Sequence, residues 1–436
     1  MLEVISYLLC LDYTISNTLI RQLSIISKAM LCSRGRITML ELSRWSGKGG
    51  SYRSIRRFYH SNICWLSVNW AFLKQHRLKH DGIYLIAGDE TTVSKSGKSS
   101  YGLGKFFSSI HSQAIKGLGF FSLCLIEVQS RETSPLLMEQ PEPEMKRRVK
   151  PPKASKKAGR GRPIGSKNKN RKNVELTTYL LWIQTHIKRT LSIIGDKLKI
   201  AYFVYDGAFG NNECLQMVKM CGFSLISKLQ CNSALYFPYG GNYKGRGPRR
   251  KYGDKVNHQQ IPEEYLQQTS RKNGIEEKIY QMTVRHKDFA DPLNVTIIQR
   301  IRLSDKKRGQ VILFSDDLEL FWENMILYYR LRFQIEFTFR DAKQFWGLED
   351  FMNIKQKAVK NAANLSLFMV NLSRFLIDQD ETYTQSILDL KTRSQAAFYV
   401  EKIIKFNPEI QKILSFEQLQ SATADIGCIH PCQIAA

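Results

Sequence analysis

"LKIAYFVYDGAFGN", residues 198–211, decides the architecture. Ile200 to Tyr205 form an unbroken apolar run, too short for a helix and rich in aromatic side chains, so they read as a buried strand. Asp206 and Gly207 end it. The preceding "VELTTYLLWIQTHIKRTLSII" (174–194) reads as a helix, and "GFSLISKL" (222–229) as the next strand. Upstream, "GIYLIAGDETTVSKSGKSSYG" (82–102) repeats the theme: Tyr84 to Ala87 form a short buried strand, with Asp89 at its C-terminal end. "GLGFFSLCLIEVQ" (117–129) adds one or two strands of a hairpin meander. Downstream, pieces such as "KIYQMTVRHK" and "NVTIIQRIRL" alternate with basic loops such as "YKGRGPRRKYGDK" and read as a β-rich insertion. "GQVILFSDD" closes as a strand, "NAANLSLFMVNLSRFLI" follows as an apolar helix, and the ends of the chain read as helical.

A second stretch, "YYRLRFQIEFTFRDAK" (328–343), reads as an amphipathic helix. At about 100° per residue, Tyr329, Arg332, Glu336, Arg340 and Lys343 fall within an arc of roughly 80°. Leu327, Leu331, Ile335, Ala342 and Phe345 take the broad opposite side. A solvated charged face explains the core side of this wheel. It does not explain one carboxylate set among three cations and a phenol. Taken singly, Asp89 and Asp206 read as turn residues or helix caps. Taken with Glu336, they form two carboxylates at strand ends and one on a flanking helix. That is a ribonuclease-H-like arrangement, in which three carboxylates hold two Mg²⁺ ions, with Mn²⁺ as a substitute, for in-line displacement at phosphorus.

The composition points to the same substrate class. Across 436 residues there are 65 Lys or Arg against 39 Asp or Glu, a formal charge of +26. Such an excess suits a polyanion, meaning nucleic acid or an anionic membrane surface. No apolar run reaches the ~18 residues of a spanning helix. The first residues, "MLEVISYLLCLDYTIS", carry Glu3 and no basic leader, a poor secretory signal. Nine scattered cysteines, odd in number, suit reduced cytosolic thiols, so a cytoplasmic chain is expected, with nucleoid association expected only if its polyanion is DNA. Cys428, His430 and Cys432 lack the usual zinc spacing.

Two basic segments add candidate DNA contacts. "RITMLELSRWSGKGGSYRSIRRFYHS" gives a short helix, a Gly-rich turn and a second helix that Ser51 is placed to cap, with Arg53, Arg56 and Arg57 along it. It reads either as a helix-turn-helix with a basic second helix or as a plain helical hairpin with basic decoration. Residues 145–174 hold thirteen Lys or Arg and no acid, with no hydrophobic period. Within them Arg160-Gly161-Arg162-Pro163 resembles an AT-hook core, which suits either insertion into an A·T-rich minor groove or general phosphate attraction.

Tyr329, Arg332, Glu336 and Lys343 satisfy Y-x2-R-x3-E-x6-K, and with "GDETTVSKSGKSSYGLGKFFSS" and "FVYDGAFGN" the chain resembles the IS-four family of bacterial DDE transposases over roughly residues 35 to 375. The resemblance implies that Asp89, Asp206 and Glu336 are the catalytic metal ligands and that Tyr329, Arg332 and Lys343 contact DNA phosphates near the scissile bond. It implies nicking at the ends of an insertion sequence, release often through a hairpin, and strand transfer into a target by a synaptic homodimer on terminal inverted repeats. Arg340 shares their arc and is expected to contact DNA or to pair with a nearby carboxylate. Glu90 stands where many relatives carry Asp, as a neighbour and not a ligand. Trp322 is the candidate aromatic for a flipped base.

The expected fold class is α/β: a ribonuclease-H-like mixed sheet with flanking helices, interrupted by a β-rich insertion, with helical N- and C-terminal parts. The expected divisions are a helical DNA-binding region (1–80, helix-turn-helix-like about 36–62), catalytic parts at 81–144, 174–229 and 311–378, the basic insert at 145–173, the β-rich insertion at 230–310, and a helical C-terminal region at 379–436. The rival readings are a transposase-derived DNA-binding protein that no longer cuts, and a ribonuclease-H-like nuclease that cuts without joining.

Overall fold

A computed structural model of the chain describes residues 4–79, 82–108, 112–142, 171–243, 245, 247–379, 386–407, 409–424 and 426–429. The helical N-terminal part comprises α1 (Val4–Leu8), α2 (Asn17–Cys32), α3 (Met39–Trp45), α4 (Tyr52–Tyr59) and α5 (Trp65–His76). Ser16, Thr38 and Ser51 cap α2, α3 and α4, each accepting a backbone N–H with its side chain.

The sheet begins with β1 (Tyr84–Ser94), β2 (Gly104–Ser108), β3 (Gln113–Glu127) and β4 (Glu132–Glu139), an antiparallel group. Helix α6 (Thr178–Ile194) leads into β5 (Ile200–Val204), and α7 (Asn212–Lys219) into β6 (Ser224–Leu229). β5 lies parallel to β1, and β6 parallel to β5. The order β4-β3-β1-β5-β6, with β1 central, is the mixed ribonuclease-H-like sheet.

The β-rich segment supplies β7 (Leu235–Pro238), β8 (Tyr252–Lys255), β9 (Leu266–Lys272), β10 (Ile275–His286), β11 (Leu293–Arg302) and β12 (Arg308–Ser315). It does not form a layer of its own. β12 pairs antiparallel with β6, so the insertion extends the same sheet to twelve strands. Helices α8 (Trp322–Leu331), α9 (Gln334–Gln344), α10 (Gln356–Asp378) and α11 (Ile387–Phe406) follow, then the short α12 (Ile410–Ile413) and α13 (Phe416–Ala424). Among the described residues, no helix is long and apolar enough to cross a membrane.

Two expectations change in detail. β1 does not stop near Asp89: its parallel pairing with β5 ends at Ala87–Val204, while its antiparallel pairing with β3 continues to Ser94–Gly117. Asp89 therefore marks the point where β5 leaves, within a longer strand. Residues 328–343 are not one uniform helix either. Between α8 and α9, Phe333, Ile335 and Glu336 donate to carbonyls three residues back, a locally tightened turn. The turn falls where the chain changes core. α8 packs Met325, Ile326, Tyr328 and Leu331 against Leu85, Ala87, Val204 and Ile226, whereas α9 sends Ile335, Phe339 and Ala342 into the core built by α2, α5 and α10.

The edge strand β4 is closed by asparagines. Asn364 of α10 accepts from Met138 N–H at 2.9 Å and donates to Met138 C=O at 2.7 Å. Asn371 donates to Pro135 C=O at 2.9 Å, and Asn69 of α5 to Leu136 C=O at 3.0 Å. Unpaired strand groups thus meet side-chain amides in a dry interior. Asn364→Leu keeps the branching of the side chain but strands both groups of Met138, which costs about 2–6 kcal/mol at 1–3 kcal/mol per buried unsatisfied group. Urea unfolding of this variant beside the parent measures that loss.

Candidate active site

Alternation along the strands sorts the carboxylates. In β1, Tyr84 and Ile86 face the core under α6 and α7, and Leu85 and Ala87 face α8. With a period of two, Asp89 joins Leu85 and Ala87 on the α8 side. In β5, Phe203 and Tyr205 face α6 and α7, and Val204 faces α8, so Asp206 takes the α8 side too. Ala87 and Val204 are paired, and each aspartate stands two residues beyond its own member of that pair. Neighbouring strands lie ~4.8 Å apart, so the register sets the two aspartates side by side on one face.

The turn after β5 returns the chain tightly to the sheet. A Cβ on Gly210 would lie 2.1 Å from the Lys228 carbonyl oxygen, so only glycine fits. Ser227 donates to the Asp206 carbonyl at 3.0 Å and fixes the strand end from β6.

Arg332 brings α9 to this pair. Its Nη1 donates to Asp89 Oδ2 at 2.8 Å, and its Nη2 lies 3.6 Å from Glu336 Oε1. Its side chain is only 11% exposed, so the ion pair is formed out of water. Burial pushes the Asp89 carboxyl up from an ordinary value of 3.8 to about 6; Arg332 pulls it down, and the charges of Asp206 and Glu336 push it up further. Tyr329 lies beneath the Arg332 guanidinium, 5.8 Å from guanidinium carbon to ring centroid. Burial raises its phenol, with Asp206 and Asp89 adding to the rise.

The remaining cations occupy different settings. Lys343 donates to Thr92 C=O at 2.8 Å and lies 3.7 Å from Glu349, so it ties α9 to β1; burial lowers its pKa. Arg340 is exposed, pairs with Asp341 at 3.1 Å and covers Phe337 at 4.9 Å. Arg53, Arg56 and Arg57 are exposed along α4, away from its buried Ile55, Phe58 and Tyr59. Trp322 opens α8 and packs partly against the third core. Arg160, Arg162, His430 and Cys432 lie outside the described residues.

Two side chains beside the site make contacts that the sequence did not signal. Glu90 faces away from Asp89 and accepts a hydrogen bond from Tyr179 of α6. Lys95 donates to the carbonyls of Glu349 and Phe351, both at 2.9 Å, and burial lowers its pKa to about 8. Neither contact has a local sequence signal, because each joins elements far apart in the chain.

A family profile described as DDE superfamily endonuclease matches residues 10–287. The chain belongs to the DDE superfamily of endonucleases. Asp89 and Asp206 lie inside the matched residues; Glu336 lies beyond them and is tied to the pair by Arg332. Membership places the chain among nuclease- and transposase-type proteins, with nucleic acid as the substrate class. Comparison with curated proteins found no match.

The donor set of this DDE protein suits a hard divalent ion: carboxylate oxygens only, with one held protonation-prone by burial and two like charges. As the side chains stand, no three Asp, Glu, His or Cys among the described residues are grouped to grip one ion, and Arg332 lies between Asp89 and Glu336.

The raised Asp89 carboxyl predicts a pH effect on the metal-free protein. The folded state favours its protonated form, so that contribution is present below about pH 4 and lost as pH rises through about 6. Asp89→Asn cannot titrate. The stability of Asp89→Asn minus that of the parent should therefore rise between pH 4 and pH 8, by at most about 3 kcal/mol. Chemical unfolding in chelator at both ends of this range measures it, and a falling difference would refute the dominance of burial at Asp89.

Proposed function

We propose that this chain is a DNA transposase of the IS-four type. In this reading it binds the terminal inverted repeats of an insertion sequence, cleaves the element ends and joins them to target DNA. The observation that carries it is the meeting of Asp89 and Asp206, in register on one sheet face, with Glu336 across Arg332. The gap-free Y-x2-R-x3-E-x6-K spacing and the charge of +26 support it.

Asp89, Asp206 and Glu336 would hold two Mg²⁺, or Mn²⁺ in its place. When bound, such ions lower the pKa of a water or 3′-hydroxyl and stabilise the leaving oxygen. The chain's own groups do the rest. Arg332 sits at the carboxylates and is placed to offset phosphate charge at the reacting centre, with Tyr329 beneath it. Lys343 holds α9 on β1 and keeps Glu336 near the aspartates. Arg340, Arg53, Arg56 and Arg57 are exposed cations for phosphates further along the duplex. Arg160 and Arg162 would serve the same duplex, in its minor groove or along its phosphates. The active unit would be a homodimer in a synaptic complex, cytoplasmic and nucleoid-associated.

The test uses Mg²⁺ and DNA carrying the element ends. The parent should nick and then join, and Ala at Asp89, Asp206 or Glu336 should reduce both steps to background while binding stays within about twofold of the parent, since phosphate contacts dominate affinity. Binding without cleavage, unchanged by Asp206→Ala, would sink the proposal; hydrolysis without joined products would reduce it to a nuclease. Binding itself should weaken by about 10³-fold or more between 50 and 200 mM salt if six or more phosphates are neutralised.

A further inference from the structure

The hairpin of β7 and β8 carries a feature that the cleavage site does not use. Residues 239–255 hold six Lys or Arg and one acid. The Arg250 guanidinium covers the Tyr239 ring at 4.9 Å, and that of Arg249 covers Tyr243 at 5.2 Å. These residues wall an open hollow of about 1100 Å³, solvent included. Tyr252 meets Tyr236 edge to face at 5.6 Å, and its hydroxyl accepts from Arg171 at 3.5 Å.

Several arginines elsewhere on the insertion are neutralised within the chain. On the neighbouring strands and their turns, Arg271 pairs with Glu276, Arg300 with Glu277, and Arg302 with Asp305. Arg249 and Arg250 have no carboxylate partner among the described residues. Their charge is left for an outside anion. The ring beneath each guanidinium shields one side of a group that resonance already keeps planar. Such a plane takes an unstacked nucleobase on its face and a phosphate at its N–H edges. A duplex offers phosphates but hides its base faces.

We infer that the β7–β8 hairpin is a second nucleic-acid surface that binds unpaired DNA, stacking bases on the Tyr239–Arg250 and Tyr243–Arg249 pairs. The inference takes its nucleic acid from the transposase reading: nicking frees a strand whose bases are open to such planes. It does not depend on which carboxylates cut.

The experiment compares a labelled single-stranded 20-mer with the same sequence as a duplex, by fluorescence anisotropy at one salt concentration. The full chain carries Asp206→Ala throughout, so that no cutting occurs during titration. Tyr239→Ala with Tyr243→Ala should weaken single-strand binding about tenfold and duplex binding less than twofold. Tyr239→Phe with Tyr243→Phe should keep both affinities, because the ring and not the hydroxyl supports the guanidinium on which a base stacks. Unchanged single-strand affinity in the alanine pair, or equal loss on both DNAs, overturns the inference. A melting curve on each variant checks that the fold is intact. Cleavage by the chain with Asp206 restored is scored separately, so absence of cutting would remove the transposase reading while the anisotropy result stands by itself.

Discussion

One guanidinium links a carboxylate of the sheet to a carboxylate of helix α9. Arg332 leaves the turn between α8 and α9 and donates to Asp89 in the middle of the sheet, with Glu336 on its other side. Both ends of the contact are largely out of water, so breaking it would strand charge in a poor dielectric. The sheet supplies one carboxylate, the helix another, and the cation between them sets their separation. Without a cation there, Asp89, Asp206 and Glu336 would repel one another in a site that already resists ionisation.

Around that contact the packing is divided among three cores. α6 and α7 cover one sheet face, α8 covers the other near the aspartates, and α9 with α10 closes a core shared with the N-terminal helices. The tightened turn at 332–334 lies where the last helices pass from one core to the next. A buried segment can change partners only by breaking its phase, and a short stretch of three-residue turns does this with little loss of backbone bonding. The asparagines of α5 and α10 serve a different need, since they satisfy the outer strand β4 where water has no access.

Charge follows a similar division of labour. Within the insertion Arg271, Arg300 and Arg302 are neutralised by cross-strand or turn carboxylates, while Arg249 and Arg250 of the β7–β8 hairpin lie over tyrosines instead. Near the carboxylates the cations are spoken for: Arg332 by Asp89, Lys343 by Thr92 and Glu349, Arg340 by Asp341. The net positive charge is therefore not a uniform coat but a set of unpaired patches, and those are what an extended polyanion would meet first.

The sequence by itself determined the elements and their kind. The apolar run before Asp206, the run before Asp89 and the capped helix at Ser51 each carry local signals, because strand burial and cap chemistry depend on neighbours a few residues away. The ribonuclease-H-like sheet with helical flanks followed from their order. Only the tertiary structure decided how the parts join: that β1 runs on past Asp89 because β3 continues where β5 leaves, that the insertion lengthens the same sheet through β12, and that the 328–343 wheel breaks at a change of core. It also decided that Arg332 faces carboxylates and that Glu90 turns to Tyr179. Those outcomes rest on contacts between residues up to 243 positions apart. Periodicity shows which face of an element is apolar; it does not say which distant side chain will lie against it.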